Sequence, residues 1–238
     1  MRVLALDTTT RAGSVAVVDQ GQVLIERMGD AARTHAERLP AEVTDALNAA
    51  RLTLADIDLF AVASGPGSFT GLRIGIATIQ GFAFVTRKPV APVSALRALA
   101  EAAAAGHPAG TRVGAWMDAH RLEVFSALFV IAAPGQGDDV AELREIEPST
   151  VAPPADTIER WKTLGLPTAV CGDGAAMYAN VLGGAIQVVP TPPLAGIIGR
   201  LAVPASRDGS TVSPAGVQPL YVRRPDAEVA RDRAHLKQ

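Results

Sequence analysis

The 238 residues carry 22 Lys and Arg against 24 Asp and Glu, and 48% of them are hydrophobic. A chain of this length buries roughly 70–75% of its unfolded surface, enough for one large domain or two small ones, and its single cysteine, Cys171, excludes an internal disulfide framework and suits a reducing compartment. A net charge of −2 gives no global attraction to a polyanion, so any nucleic-acid contact must be local or shared with a partner.

Met1-Arg2 leads directly into an apolar strand rather than a signal peptide, and no run of about 18 uncharged apolar residues spans a bilayer; a soluble, cytoplasmic protein without a membrane partner is expected. Val3-Leu4-Ala5-Leu6-Asp7 ends at a carboxylate and is followed by Thr8-Thr9-Thr10. Gly13 to Val18, the turn Gln20-Gly21-Gln22 and Val23 to Glu26 complete a three-stranded meander. Thr34 with Glu37 three residues later predicts a capping box, and Leu39, Val43, Ala46, Leu47 and Ala50 share one face of the helix that follows, with Pro40 tolerated only in its first turns. Leu59 to Ala63 is a buried strand.

That strand enters Gly65-Pro66-Gly67-Ser68-Phe69-Thr70-Gly71-Leu72-Arg73-Ile74-Gly75, a glycine-rich turn opening a helix over residues 70–84. Leu72, Ile76, Ile79 and Ala83 form one apolar stripe and Ile74, Gly81 and Val85 a second, interrupted only by Arg73, Thr78 and Gln80. A helix apolar nearly all round is buried on several sides. Gly71 and Gly75, one turn apart, let another backbone approach. Two readings stand: a central core helix of this chain, or half of a subunit interface.

Pro89 to Val93 is a further strand, and Ser94 caps an alanine-rich helix to about Ala105. After a Gly-Pro break the pattern restarts: Val113 to Asp118 is again an apolar strand ending at an aspartate, Leu122 to Ile131 follows it, and Pro134-Gly135-Gln136-Gly137-Asp138 supplies a turn. The two halves read as a degenerate duplication, with Asp7 and Asp118 at equivalent strand ends beside a cleft, where open sheets bind ligands. A helical stretch, a strand at Thr168 to Cys171 and a second glycine turn, Gly172-Asp173-Gly174, come next. Pro190 to Pro193 and Pro204 to Pro219 predict loops and a return crossing, and Arg223 to Gln238 a charged tail of alternating sign, a solvated helix or frayed terminus.

Glycine turns entering helices hold anions through converging backbone N–H groups. The first one lacks the Walker spacing, with no Lys-Ser or Lys-Thr pair after it. Asp7, Thr8 and Thr9 suit hydration of a phosphate-bound metal and equally an ordinary turn. His35, His107, His120 and His235 include no pair three or four residues apart, so a single-chain metal site is not expected. His35 reads as a surface residue at a helix start and His120 as a loop residue. No Gly-x-Ser-x-Gly elbow is present, and Cys171 at the end of an apolar strand reads as a buried inert thiol.

Leu4 to Thr9 with Ser14-Val15-Ala16, Thr34-His35-Ala36-Glu37-Arg38-Leu39, the segment Gly65 to Gly75, Val93-Ser94-Ala95-Leu96, Asp118 to Phe125, Gly172-Asp173-Gly174 and Pro219-Leu220-Tyr221-Val222-Arg223 together resemble the bacterial TsaB (YeaZ) family of tRNA threonylcarbamoyladenosine biosynthesis proteins, over nearly the whole chain. The resemblance implies an α/β fold of the actin-like ATPase, sugar-kinase and Hsp70 type with two ribonuclease-H-like subdomains, here residues 1–105 and 106–205, followed by a return segment and tail, 206–238. It implies a non-catalytic partner of the paralogue TsaD in forming threonylcarbamoyladenosine beside the anticodon of tRNAs reading codons that begin with A. A TsaE-like ATPase belongs to the same complex, and tRNA is met through that complex. TsaD holds its metal with a His-x-x-x-His pair whose matching positions here are Ala95 and Leu99, so no metal is expected. The family pairs as homodimer or heterodimer through its first two helices, here 34–51 and 71–85, which makes His35, Leu39, Val43, Leu72, Gly75, Ile76, Ile79 and Ala83 the interface candidates. Many members place a proline six residues after the histidine, whereas Pro40 comes five after His35. Asp7, Thr8, Thr9, Asp118, Gly172 and Gly174 would line a vestigial nucleotide cleft with weak ATP or ADP binding and no required cofactor. The competing readings are an ATP-dependent phosphotransferase of the same fold and a metallopeptidase.

Overall fold

In a computed structural model that describes residues 1–133 and 142–223, the duplicated pattern becomes two five-stranded mixed sheets. The turn expected at Pro134 to Asp138 and the charged tail beyond Arg223 lie outside the described residues. In the first sheet, β1 (Arg2–Asp7), β2 (Ser14–Asp19) and β3 (Gln22–Met28) form the antiparallel meander, and β4 (Leu59–Gly65) and β5 (Val90–Ser94) extend it in parallel, in the order β3-β2-β1-β4-β5. The second sheet repeats this topology with β6 (Arg112–Asp118), β7 (Val124–Ile131), β8 (Leu143–Ala152), β9 (Ala169–Cys171) and β10 (Gln187–Val189), in the order β10-β9-β6-β7-β8. Two meanders, each extended by parallel strands, are the two ribonuclease-H-like halves of the actin-like class.

Alternation along each central strand decides what covers which face. Leu4 and Leu6 of β1, with Phe60 and Val62 of β4, meet α1 (His35–Ala49) and α2 (Phe69–Thr86) through Leu39, Val43, Ile76 and Ile79. Val3, Ala5 and Ala61 point the other way, toward α7 (Ala195–Ala205). That helix and α3 (Ala95–Ala104) lie between the sheets, where Leu96, Leu99, Ala195 and Ile198 join Ala115, Ala127 and Cys171 in one core. On the outer face of the second sheet, α4 (Pro154–Leu164), α5 (Asp173–Met177) and α6 (Ala179–Leu182) cover Trp116, Val124 and Val170.

The capping box is present, with Glu37 Oε2 accepting from the Thr34 N–H at 2.8 Å and hydroxyl at 2.7 Å, and Pro40 falls in the second turn of α1. Ser94 caps α3, its hydroxyl accepting from the Arg97 N–H at 3.3 Å. The segment expected to be loop around Pro204 is helical: Pro204 sits in the last turn of α7, forgoing one N–H bond to the turn before it, and the helix ends at the next residue. Beyond α7 the chain pairs with the edge of β5 through Val90 and Val212. It then donates the Leu220 N–H to Ser64 O at 2.7 Å.

Candidate functional site

Both aspartates sit at equivalent strand ends, but with different surroundings. Asp7 is 2% exposed, and its Oδ1 accepts from the Thr9 N–H at 2.9 Å and the Thr9 hydroxyl at 2.6 Å. Burial raises its pKa, against which the two Thr9 bonds act. Thr8 beside it is fully buried, with no partner for its hydroxyl among the described residues. Gly71 and Gly75 explain why: a Cβ on Gly75 would overlap the Thr8 hydroxyl, and one on Gly71 the Thr8 carbonyl oxygen. The backbone admitted by the two glycines therefore belongs to this chain, the β1–β2 turn, and not to a second subunit.

Asp118 faces the cleft instead. Its Oδ1 accepts from the His120 N–H at 2.9 Å, its Oδ2 lies 3.1 Å from His120 Nδ1, and its own N–H donates to Asp173 Oδ1 at 2.9 Å. Gly172 and Gly174 press on the end of β6, where a Cβ on Gly174 would stand 2.8 Å from the Met117 carbonyl carbon. They are packing glycines that bring Asp173 to the cleft. Among the cleft residues expected from sequence, Thr9 and Asp118 line a cavity of about 990 Å³, while Asp7 and Thr8 lie behind its wall. Cys171 is enclosed, and burial pushes its thiol up to about 11, as an inert cysteine requires.

His35 is buried rather than superficial. Its Nε2 faces Thr10 O at 3.0 Å and its Nδ1 lies 2.8 Å from Arg38 NH2, which places the ring proton on Nε2. Burial and then the Arg38 charge push its pKa below the usual imidazole value. Arg38 is itself 2% exposed, salt-bridged to Glu42 at 2.6 Å and hydrogen-bonded to the Ala12 carbonyl. Helical periodicity assigns a charged side chain to the wet face, so Arg38 was not legible as the clamp that holds α1 to the β1–β2 turn.

The interface candidates all point inward. Leu72 is 1% exposed, and Leu39, Val43, Gly75, Ile76, Ile79 and Ala83 are buried against the first sheet like His35. An α/β layer already uses that stripe; of the second stripe Ile74 is half-buried against the same core, and Gly81 and Val85 face solvent. Ala77, Gly81, Phe84 and Val85 are exposed, Phe84 at 76% and Val85 at 81%. An open groove of about 710 Å³ between the end of α2 and residues 211–214 continues this face. α2 also meets the length and composition of a membrane span, yet one face of it packs on the sheet and it carries Arg73. At its other end Arg73 lies 3.9 Å over the Phe69 ring, and Phe69 stacks on Tyr221 at 5.5 Å.

Comparison with known proteins fits this geometry. Residues 29–187 match the family model of TsaD, tRNA N6-adenosine threonylcarbamoyltransferase. The chain is 33% identical to the tRNA threonylcarbamoyladenosine biosynthesis protein TsaB of Haemophilus influenzae, covering 94% of each. It is 32% identical to the protein of the same name from Escherichia coli, covering 94% of this chain and 95% of that one. A crystal structure of an uncharacterized protein with similarity to peptidase YEAZ from Pseudomonas aeruginosa superposes with a TM-score of 0.78 at 32% identity, over 93% of this chain and 99% of that one. YeaZ from Pseudomonas aeruginosa gives 0.75 at 31%, over 92% and 99%.

Proposed function

The chain belongs to the TsaB (YeaZ) family of tRNA threonylcarbamoyladenosine biosynthesis proteins, and we propose that it serves there as a non-catalytic subunit that docks the catalytic paralogue TsaD through the outer face of α2. The observation that carries this reading is the apolar stripe Ala77, Gly81, Phe84 and Val85, left facing solvent while the opposite stripe is consumed by the chain's own sheet. Small residues at its centre allow close helix contact, and exposed aromatic and aliphatic side chains at its end supply anchors.

Support for a non-catalytic role comes from Ala95 and Leu99, which are enclosed alkyl groups of the central core at the positions matching the metal-binding histidines of the paralogue. A metallopeptidase would need ligands there. A phosphotransferase would use the carboxylate at the end of the first strand for metal-bound phosphate, and Asp7 is shut behind Thr9, while Asp118 and Asp173 in the cleft are each engaged by backbone N–H groups. The cleft retains at most weak ATP or ADP binding, with no cofactor required. The chain acts in the cytoplasm, self-associates through the same α2 face when the paralogue is absent, and shares its complex with a TsaE-like ATPase. The modified base is the adenosine beside the anticodon in tRNAs reading codons that begin with A.

Phe84→Asp together with Val85→Asp tests the docking face. The variant should keep its circular dichroism and melting temperature, because both side chains are exposed, and should fail to capture the paralogue in a pull-down; capture at the wild-type level would remove the α2 face from the account. Leu72→Asp is the wrong test, since a carboxylate buried in the core destabilises the fold itself.

A further inference from the structure

The groove at the end of α2 has two fixed walls. One is the last turn of the helix, with Ala83, Phe84 and Val85. The other is the return segment 211–214, held by a pair of backbone hydrogen bonds between Val90 and Val212, at 3.0 and 2.8 Å, and by Gln80 Nε2 donating to Pro214 O at 2.9 Å. On a chain of net charge −2, no carboxylate lines this groove, yet two cations do, Arg87 and Lys88. Among the described residues neither side chain has a hydrogen bond or ion pair, in contrast with Arg38, Arg97, Arg160 and Lys162, each matched to a glutamate. Asp208, three residues before Thr211, is turned onto the Ser210 N–H at 3.0 Å. The carbonyl end of α2 opposes the cations with only about half a charge, so two full positive charges set the sign of the groove.

An occupant matched to this site combines a bulky apolar side chain, for the floor of Ala83, Phe84 and Val212, with Asp or Glu beside it, for Arg87 and Lys88. Apolar burial supplies the attraction, and the charge pairs supply orientation and choice of partner. A nucleic-acid strand fits less well, because two cations do not track a phosphate backbone. A second copy fits less well too: α2 carries no acidic residue, so another α2 laid along it offers these cations no counter-charge. The groove is continuous with the exposed stripe of α2 through Phe84 and Val85, so a different chain docked on that stripe reaches it.

We propose that this groove seats an acidic segment of the subunit docked on α2, with an apolar side chain on its floor and carboxylates on Arg87 and Lys88. It rests on the reading of α2 as the docking face and adds the chemistry which that face selects. The test is calorimetric titration of the full chain with the purified catalytic paralogue at low and at high salt. Arg87→Glu with Lys88→Glu should weaken binding about tenfold at low salt and converge on the wild type at high salt, where exposed charges are screened. Arg87→Gly with Lys88→Gln keeps the fold in hand, because Arg87 stands at φ 57°, a left-handed position that glycine takes freely; it should weaken binding severalfold and reduce the salt dependence. Zero-length carbodiimide coupling of the wild-type complex, read by mass spectrometry, should join Lys88 to an Asp or Glu of the paralogue, while Lys162 couples within the chain to Glu159, 2.6 Å away. Wild-type affinity in both charge variants, a loss of the same size at both salt concentrations, or a complex that forms without a Lys88 coupling product would each overturn the site. So would a charge-reversed variant that loses tRNA in an anisotropy titration as severely as it loses the paralogue, which would assign the groove to nucleic acid. A wild-type chain that fails to bind the paralogue removes the docking reading and the groove together. Binding lost in Phe84→Asp with Val85→Asp but kept in both charge variants removes the groove alone.

Discussion

A methyl group on Gly75 would collide with the Thr8 hydroxyl, whereas one on Gly81, two turns further along the same helix, would meet nothing within 4 Å. The two glycines therefore predict opposite responses to alanine. Gly75→Ala should cost roughly 1–3 kcal/mol through overpacking, and Gly81→Ala should gain about 0.5–1 kcal/mol through helix propensity; urea denaturation of the isolated chain reads both. Destabilisation of similar size at the two positions would contradict the packing account. His35 supplies a pH prediction. Its folded pKa lies below the ordinary 6.5, so the unfolded chain binds the extra proton first as pH falls. The neutral imidazole thus contributes stability above pH 6.5 that is lost as pH drops from there toward the folded value. Asp7 has the opposite sense: its raised pKa gives stability below 3.8 that is lost as pH rises through the folded value. Comparing wild type with His35→Gln between pH 7.5 and 5.5 isolates the histidine. The variant should lose less stability over that interval, and an equal loss would show that neither burial nor the Arg38 charge couples folding to His35 protonation.

At the level of elements, the sequence pattern was legible where one period dominated. Leu39, Val43, Ala46 and Leu47 specified the buried face of α1, and the restart at Val113 to Asp118 revealed the duplicated strand. β8 was missed because its ten residues include Arg144, Glu145 and Glu147 on a half-exposed edge, so apolar alternation is weak. There Glu147 is buried to accept from Trp161 Nε1 at 2.7 Å and Arg160 Nε at 2.9 Å. α7 was missed because prolines bracket it, although Pro204 falls within its last turn. α2 carried two apolar stripes, and sequence alone does not say which one the sheet takes. The sheet took Leu72, Ile76, Ile79 and Ala83, which leaves Ala77, Gly81, Phe84 and Val85 exposed as the proposed docking surface. That is why Phe84→Asp with Val85→Asp should separate binding from folding, whereas substitutions on the inner stripe would merge them.

For the molecule as a whole, α3 and α7 belong to one core between the two sheets, and the return segment ties the halves again at the cleft. Gly65 shows how closely this strap is fitted, since a Cβ there would stand 2.7 Å from Leu220 O. From Leu220 the strap continues through Tyr221, stacked on Phe69, to Arg223, bonded to Ala119 and Glu123 of the second half. None of these long-range contacts has a local signature, so the sequence showed the motif Pro219 to Arg223 without showing what it joined. The resulting body has an enclosed Asp7, a cleft lined by both arginines and aspartates, and an apolar outer face on α2. The most direct measurement is threonylcarbamoyl transfer to tRNA from the purified adenylate donor, with the chain alone, the catalytic paralogue alone and the two together. The account predicts no product from the chain alone and a rate with the paralogue that rises on adding the wild-type chain but not Phe84→Asp with Val85→Asp. Modified tRNA formed by the chain alone, or a paralogue rate indifferent to its presence, would contradict it.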